Sequence, residues 1–419
     1  VAVAPMQSRD HAEFKAWKVD LSEQRRRGHE FLPESEIFRA PVNYEVEGVL
    51  GVGGFGIVVG AVDKTTGTAT AIKKIGGALR DSKQCRYFLR EIVYQSRLIH
   101  ENILELKDIW LEDGVVYLGT DQMPTDLGWV IKSPQPLSSE HVMWFVFQIA
   151  RGLKYLHAAN IVHRDLKPSN CLVAANCDLK ICDFGMCRVI DQGQEQSPRP
   201  LSEYVVTRWY RAPEIILCAQ YDHRVDSWSL GCILAQLIQR KPLFKGDGSR
   251  QTLDNVLAVI GAPSDKYIEA ISLRGARNYL QRAATRSEFA QRTVEWNQVL
   301  RPSPSYGELD ESCIEVLDHL LQFDHSLRAR PEDVLESAWM ATSACCTRIL
   351  RASDEDTLLP DKLCPEWEDS VDWSNPTNAA KTFIKEVIED RQNARRRLSG
   401  RLTPKAGGRR PEIEWEVPV

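Results

Sequence analysis

One octet constrains this chain more than any other stretch: His163-Arg164-Asp165-Leu166-Lys167-Pro168-Ser169-Asn170, with Asp183-Phe184-Gly185 beginning thirteen positions after Asn170. Together they set an aspartate, a lysine, an asparagine and a second aspartate in fixed order across a short, hairpin-like segment. Phosphoryl transfer from ATP needs that set of groups. One carboxylate orients the attacking hydroxyl, a cation faces the moving phosphate, and an amide plus a carboxylate hold magnesium. Chance matches to so long a string are negligible.

The octet and triplet resemble the catalytic loop and magnesium triplet of the eukaryotic protein kinases. On that resemblance Asp165 is the catalytic base and Lys167 neutralises the transferring phosphoryl group. Asn170 and Asp183 hold Mg2+. Each of these positions carries the residue the family requires, whereas a pseudokinase usually lacks at least one. The resemblance also makes His163 structural, packed near Phe184, and gives Arg164 an activation-loop phosphate as partner. The implied fold is α+β and bilobal, with a small β-rich N-lobe and a larger helical C-lobe.

Upstream, Gly51-Val52-Gly53-Gly54-Phe55-Gly56 spells GxGxxG after an expected strand. Alone this is weak, and a dinucleotide-binding fold would place a helix directly after it. Here Ile57 to Val62 reads as a strand, so the glycines suit a flap over ATP phosphates, where no Cβ obstructs close backbone approach. Ala71-Ile72-Lys73 matches the strand motif of the ATP-binding lysine, and Lys73 is expected to pair with Glu91 in the following helix. Strand alternation turns its neighbour Lys74 to the opposite face. The resemblance adds Val58, Ala71 and Thr120 to the ATP pocket, with Asp121 and Met123 flanking the adenine. Gln95, one helical turn after Glu91, stands where the family has an apolar residue, so it has to find a polar partner.

Ser202-Glu203-Tyr204 precedes Val205-Val206-Thr207-Arg208-Trp209-Tyr210-Arg211-Ala212-Pro213-Glu214. This arrangement is similar to the dual phosphorylation motif of the mitogen-activated protein kinases, with Ser202 in place of threonine. Each phosphate adds roughly −1.5 to −2 charges and three acceptor oxygens, which call for arginines. By resemblance, Arg86, Arg164 and Arg188 meet phospho-Ser202, and Arg208 and Arg211 meet phospho-Tyr204. Salt bridges to nearby carboxylates are the plainer alternative for several of them. Thr207 is expected to contact the catalytic Asp and Lys, Glu214 to pair with Arg328, and Asp226 to brace the catalytic-loop backbone.

The resemblance covers about residues 40–398. Residues 1–40 form an N-terminal extension, read as polar with helical patches such as His11 to Lys18. A kinase domain spans 41–340, divided into 41–123 and 124–340. Residues 341–398 form a C-terminal extension whose helix, including Lys381 to Asp390, returns to the small lobe in the related kinases. Residues 399–419 form a basic tail, read as mobile. In the domain, Ser82 to His100 is an expected helix with Phe88, Ile92, Leu98 and Ile99 on one face. Ser139 to Ala159 and Val225 to Gln239 are further helices, followed by 312–323 and 331–340. Asp354, Glu355 and Asp356 are the candidates for a docking patch that binds basic peptides; a solvated acidic loop is the alternative.

A net charge of −5 gives no reason to expect nucleic acid as a partner. No apolar run is long enough for a transmembrane helix, and the first residues lack the pattern of a signal peptide. The 11 cysteines show no CxxC or Cys/His metal spacing, so they read as reduced thiols of a cytosolic or nuclear protein, and the expected localisation is cytoplasmic and nuclear. The expected activity is transfer of the ATP γ-phosphate to Ser or Thr of protein substrates, and the resemblance in the segment Val205 to Arg208 implies that proline follows. An upstream dual-specificity kinase would switch it on, and phosphatases and docking-motif proteins would be further partners. Two rivals stand beside this: a cyclin-dependent-like kinase needing an activating subunit, and a scaffold that keeps the fold but signals by docking.

Overall fold

A computed structural model describes residues 14–26, 33–53, 56–75, 82–112, 115–190, 208–290, 294–353, 382 and 384–387. The chain divides into two compact units. The first takes residues 1–99, 104–123 and 366–409; the second takes 100–103, 124–365 and 410–419.

The first unit is built on an antiparallel sheet of five strands: β3 (Tyr44–Gly53), β4 (Gly56–Asp63), β5 (Thr68–Ile75), β6 (Leu106–Glu112) and β7 (Val115–Asp121), in the order β3-β4-β5-β7-β6. They follow a separate two-stranded hairpin, β1 (Phe14–Asp20) and β2 (Ser35–Pro41), with one helical turn, α1 (Ser22–Arg26), between its strands. The helical reading of His11 to Lys18 therefore fails from Phe14 onward. From Trp17 to Asp20 the side chains alternate between half-buried or buried and exposed, and β2 pairs with them residue for residue. That is the two-residue period of a strand.

The hairpin belongs to the core of this unit. Val19, Leu21, Phe38 and Ala40 pack with Tyr44, Val59, Ala61, Ile72, Trp110 and Tyr117. Tyr44 stacks on Trp110 and Trp110 on Tyr117, with centroids 5.8 and 5.4 Å apart. Buried Trp and Tyr need partners for their polar ends, and the β2 backbone supplies them. Trp110 Nε1 donates to the Arg39 carbonyl at 3.0 Å, and the Arg39 N–H donates to the Tyr117 hydroxyl at 3.3 Å.

Helix α2 (Ser82–Arg97) buries Phe88 and Ile92 as expected; Leu98 is buried just beyond it, but Ile99 lies past the helix end and is 43% exposed. Gln95 finds its partner: Nε2 donates to the Leu104 carbonyl at 3.1 Å. Residues 382 and 384–387 are helical, with Ile384 and Val387 buried.

The second unit is mainly helical. After β8 (Thr125–Asp126) and α3 (Leu127–Lys132) comes α4 (Ser139–Ala158), N-capped by Ser138. The later helices include α5 (Pro213–Ile216) and α6 (Arg224–Gln239), which packs on α4 and buries nearly every side chain. Glu311–Leu320 and Pro331–Leu335 are further helices; the expected helix over 331–340 ends at Leu335, because Ser337 caps a new turn, Ala338–Ala341. Among the described residues between α4 and α5 run four short strands, β9 (Ile161–Val162), β10 (Cys171–Val173), β11 (Leu179–Ile181) and β12 (Arg188–Val189). β9 pairs with β12, and β8, β10 and β11 form a three-stranded sheet. No helix among the described residues is long and apolar enough to cross a membrane. Nine cysteines among the described residues carry free thiols.

Candidate active site

Strand alternation sorts the nucleotide candidates of the first unit. Val58 pairs with Lys73 across β4 and β5, and Ala71 pairs with Thr120 across β5 and β7. Cross-strand partners share a face, so these four half-buried residues lie on one side of the sheet. The apolar core with the N-terminal hairpin lies on the other. On the first of these sides Lys73 Nζ sits 2.7 Å from Glu91 Oε1, the expected pair. Asp121, at the end of β7, forms an ion pair with Lys107, and Met123 closes this segment of the unit.

Gly53 pairs with Gly56 to join β3 and β4, while Gly54 and Phe55 lie outside the described residues. Gly56 has φ +138°, and a Cβ there would run into the Lys74 carbonyl oxygen, so no other residue fits. At Gly51 a Cβ would meet nothing within 4 Å. Protein packing does not demand glycine there, which suits a backbone kept bare for a phosphate.

The second unit gathers the octet and triplet. Arg164 takes the left-handed conformation with φ +65°, and Asp183 does so with φ +68°. Such φ values are uncommon outside glycine and persist only where surrounding structure fixes them. Asp226 fixes the first. From the start of α6 its fully buried carboxylate accepts the N–H groups of His163 and Arg164, each at 2.8 Å. His157 Nε2 lies 2.9 Å from the same carboxylate. Burial alone would push this acid up. The hydrogen bond and charge of His157, the charge of His163 and the His163 N–H outweigh it and hold Asp226 below the ordinary aspartate range.

That shift has a sign that can be tested. An unfolded aspartate titrates near pH 3.9, and the folded Asp226 titrates lower. Its carboxylate therefore stabilises the fold above about pH 4, and the contribution is lost as pH falls through the folded value. Asp226→Asn is expected to lower the melting midpoint at neutral pH, since an amide offers one acceptor atom for two backbone N–H groups. The gap from the parent should narrow below about pH 4. A gap constant over the whole range would contradict this assignment.

Around that brace the candidate chemistry is tightly bonded. Lys167 Nζ lies 2.6 Å from Asp165 Oδ2, and Asn170 Nδ2 donates to the Asp165 carbonyl at 2.8 Å. The Asn170 carbonyl accepts the Cys182 N–H at 2.9 Å, which ties the octet to the segment carrying Asp183. His163 is structural, as expected. Its Nδ1 accepts the Asp165 N–H at 3.4 Å, its Nε2 lies 3.0 Å from the Cys182 carbonyl, and its ring meets Phe184 edge-on at 5.6 Å. Cys182 itself is half-buried.

Asn170 and Asp183 fit a magnesium site of the kind completed by substrate phosphates. Such sites use one or two carboxylates rather than a dedicated protein cage. Among the described residues no group of three or more His, Cys, Asp or Glu could hold a metal. The Asn170 amide nitrogen is already spent on Asp165, so its oxygen is the atom it offers a cation.

Four of the five proposed phosphate-binding arginines lie in this unit, and Arg86 lies on α2 in the other. Arg164 donates from Nε to the Met186 carbonyl at 2.8 Å and from Nη1 to the Tyr221 hydroxyl at 3.0 Å. Its Nη2, like Nε of Arg211, is buried with no hydrogen-bond partner among the described residues. Burial lowers Arg211; Asp165 opposes this, and the like charges of Arg208 and Arg164 add to it. Arg188 Nη1 bonds to the Cys187 carbonyl at 2.9 Å. Ser202, Tyr204, Thr207 and the acidic run Asp354 to Asp356 lie outside the described residues. Deeper in the unit, Glu214 and Arg328 form the expected pair, Oε1–Nη1 at 2.6 Å and Oε2–Nη2 at 3.1 Å, with both side chains fully buried.

Sequence reasoning did not find His157 as a partner of Asp226 or Tyr221 as a partner of Arg164. Those pairs are 69 and 57 positions apart, and no local pattern marks them.

The comparisons agree with this geometry. The family model of the protein kinase domain matches residues 44–340. The chain is 39% identical over 322 residues to mitogen-activated protein kinase 4 of Oryza sativa subsp. japonica, covering 75% of this chain and 82% of that one. It is 39% identical over 311 residues to mitogen-activated protein kinase 7 of Arabidopsis thaliana, covering 73% and 80%. Extracellular signal-regulated kinase 1 of Dictyostelium discoideum is 39% identical over 306 residues, covering 71% of this chain and 55% of its own. With a kinase domain over most of its length and the two plant relatives matched over four fifths of theirs, the chain belongs to the mitogen-activated protein kinase family and is an ATP-using serine/threonine protein kinase.

Proposed function

We propose that this kinase is switched by phosphate on Ser202 and Tyr204 and acts on Ser or Thr followed by proline. The observation that carries the switch is a pair of buried donors that meet no acceptor among the described residues of the second unit. Arg164 Nη2 and Arg211 Nε are buried without partners among the described residues, and Arg211 feels the charges of Asp165, Arg208 and Arg164. Buried donors without acceptors cost free energy, and a phosphate brings three acceptor oxygens and a compensating charge. Arg164 sits within the catalytic octet, so a phosphate satisfying it would bear directly on the backbone that Asp226 holds.

In the chemical step Asp165 orients the substrate hydroxyl and takes its proton, and Lys167 faces the phosphoryl group in transit. Lys73, held by Glu91, contacts the inner phosphates under the glycine flap. Asn170 and Asp183 would hold magnesium. When bound, that ion offsets the charge that builds on the phosphate oxygens. An upstream dual-specificity kinase, phosphatases and docking-motif proteins are the partners this reading implies, in cytoplasm and nucleus. Asp354, Glu355 and Asp356 would hold basic docking peptides.

Ser202→Ala combined with Tyr204→Phe is expected to leave the melting midpoint unchanged. After treatment with an activating kinase, the variant should stay at the basal rate while the parent rises by orders of magnitude, about 10³-fold if the phosphates complete the arginine sites. Full activation of the double variant would remove the switch.

A further inference from the structure

Strand β5 carries two adjacent lysines. Lys73 faces Val58, Ala71 and Thr120 and pairs with Glu91. Lys74 faces the other way, and there the N-terminal hairpin grips it. Its Nζ lies 2.8 Å from Glu36 Oε1, donates to the Ile37 carbonyl at 2.6 Å and stands 5.5 Å from the Phe38 ring centre. All three contacts are on β2, and the Lys74 side chain is only 13% exposed. The backbone of the same residue touches the glycine flap, because the Lys74 carbonyl fills the place a Cβ on Gly56 would need. One residue thus meets the hairpin through its side chain, the flap through its carbonyl, and Lys73 through the peptide bond.

We propose that Glu36 and Lys74 are positioning residues, through which the N-terminal hairpin fixes the height of β5 and with it Lys73 and the glycine flap. The inference rests on Lys73 being the phosphate contact. A purely structural role explains the geometry less well. The hairpin is already anchored by Val19, Leu21, Phe38 and Ala40 in the apolar core and by the Trp110 and Tyr117 bonds to Arg39. Glu36 is one-third exposed, and ion pairs near water add little to stability. Removing the pair should therefore leave the hairpin in place and free β5 to shift. A shift of a few tenths of an ångström matters at Lys73, whose bond to Glu91 is 2.7 Å long. It matters at Gly56 as well, where there is no slack.

The test uses the full chain in its activated form, with Glu36→Ala, Lys74→Met, the double variant, the milder Glu36→Gln, and Lys73→Met alongside. Melting midpoint, kcat and the KM values for ATP and for a peptide substrate are measured for each. Glu36→Ala and Lys74→Met should each raise KM for ATP about three- to tenfold. Peptide KM and melting midpoint should stay near the parent's, and Glu36→Gln should show a smaller rise. The double variant should match Lys74→Met, which already removes the Glu36 contact together with those to Ile37 and Phe38. An unchanged KM for ATP in the single variants, effects that multiply in the double, or a rise that tracks lost stability would each overturn the proposal. If those variants match the parent while Lys73→Met is inactive, the clamp alone is wrong. A Lys73→Met protein with parental activity would remove the clamp and the reading of Lys73 together.

Discussion

Asp165→Asn is expected to abolish most of the activity while leaving the fold intact, with kcat lower by about 10²–10⁴-fold, the usual contribution of a general base. The amide keeps the shape of the side chain. The Asn170 bond to the Asp165 carbonyl and the Asp226 bonds to the preceding amides do not involve the Asp165 side chain, so the backbone stays braced. What disappears is the proposed proton acceptor and the charge that holds Lys167 at 2.6 Å. KM for ATP should change far less than kcat. The same variant separates catalysis from scaffolding: if a cellular role survives it, that role runs through docking.

Arg328→Met should have the largest effect on stability, a loss of about 3–5 kcal/mol, because it strands the fully buried Glu214 carboxylate without its bidentate partner. Chemical denaturation would show it as a lower midpoint with an unchanged slope. Pairing it with Glu214→Leu removes the stranded charge and should recover part of the loss. Recovery should be incomplete. Arg328 also donates to the carbonyls of Gln322, Phe323 and Arg224 and lies 5.1 Å from the Trp228 ring, and methionine replaces none of those hydrogen bonds. A double variant as stable as the parent would mean that the carbonyls find other donors and that the pair itself adds nothing net.

The groups proposed for the chemistry were legible because they are local. Asp165, Lys167 and Asn170 fall within six consecutive residues, and Asp183 stands in a triplet that names itself. Lys73–Glu91, Glu214–Arg328 and the Asp226 brace span the sequence and were reached only through resemblance to a family; the distances bear out each of them. Where neither locality nor resemblance reached, the reading failed. The N-terminal hairpin shows its strand period over only four residues, Trp17 to Asp20, and its partner strand begins fifteen positions further on. Glu36 and Lys74 are 38 positions apart with nothing to link them in the sequence. The helix over 331–340 looked continuous because Ser337 is unremarkable within a helix; only its hydroxyl accepting the Met340 N–H marks a new start.

A phosphorylation assay on a degenerate peptide library, using the chain activated on Ser202 and Tyr204, tests the account most directly. Phosphate should be incorporated on Ser and Thr, with proline dominating the following position, and without any added activating subunit. Incorporation that is indifferent to that position would contradict proline direction, and activity appearing only when a second subunit is supplied would contradict the phosphate switch.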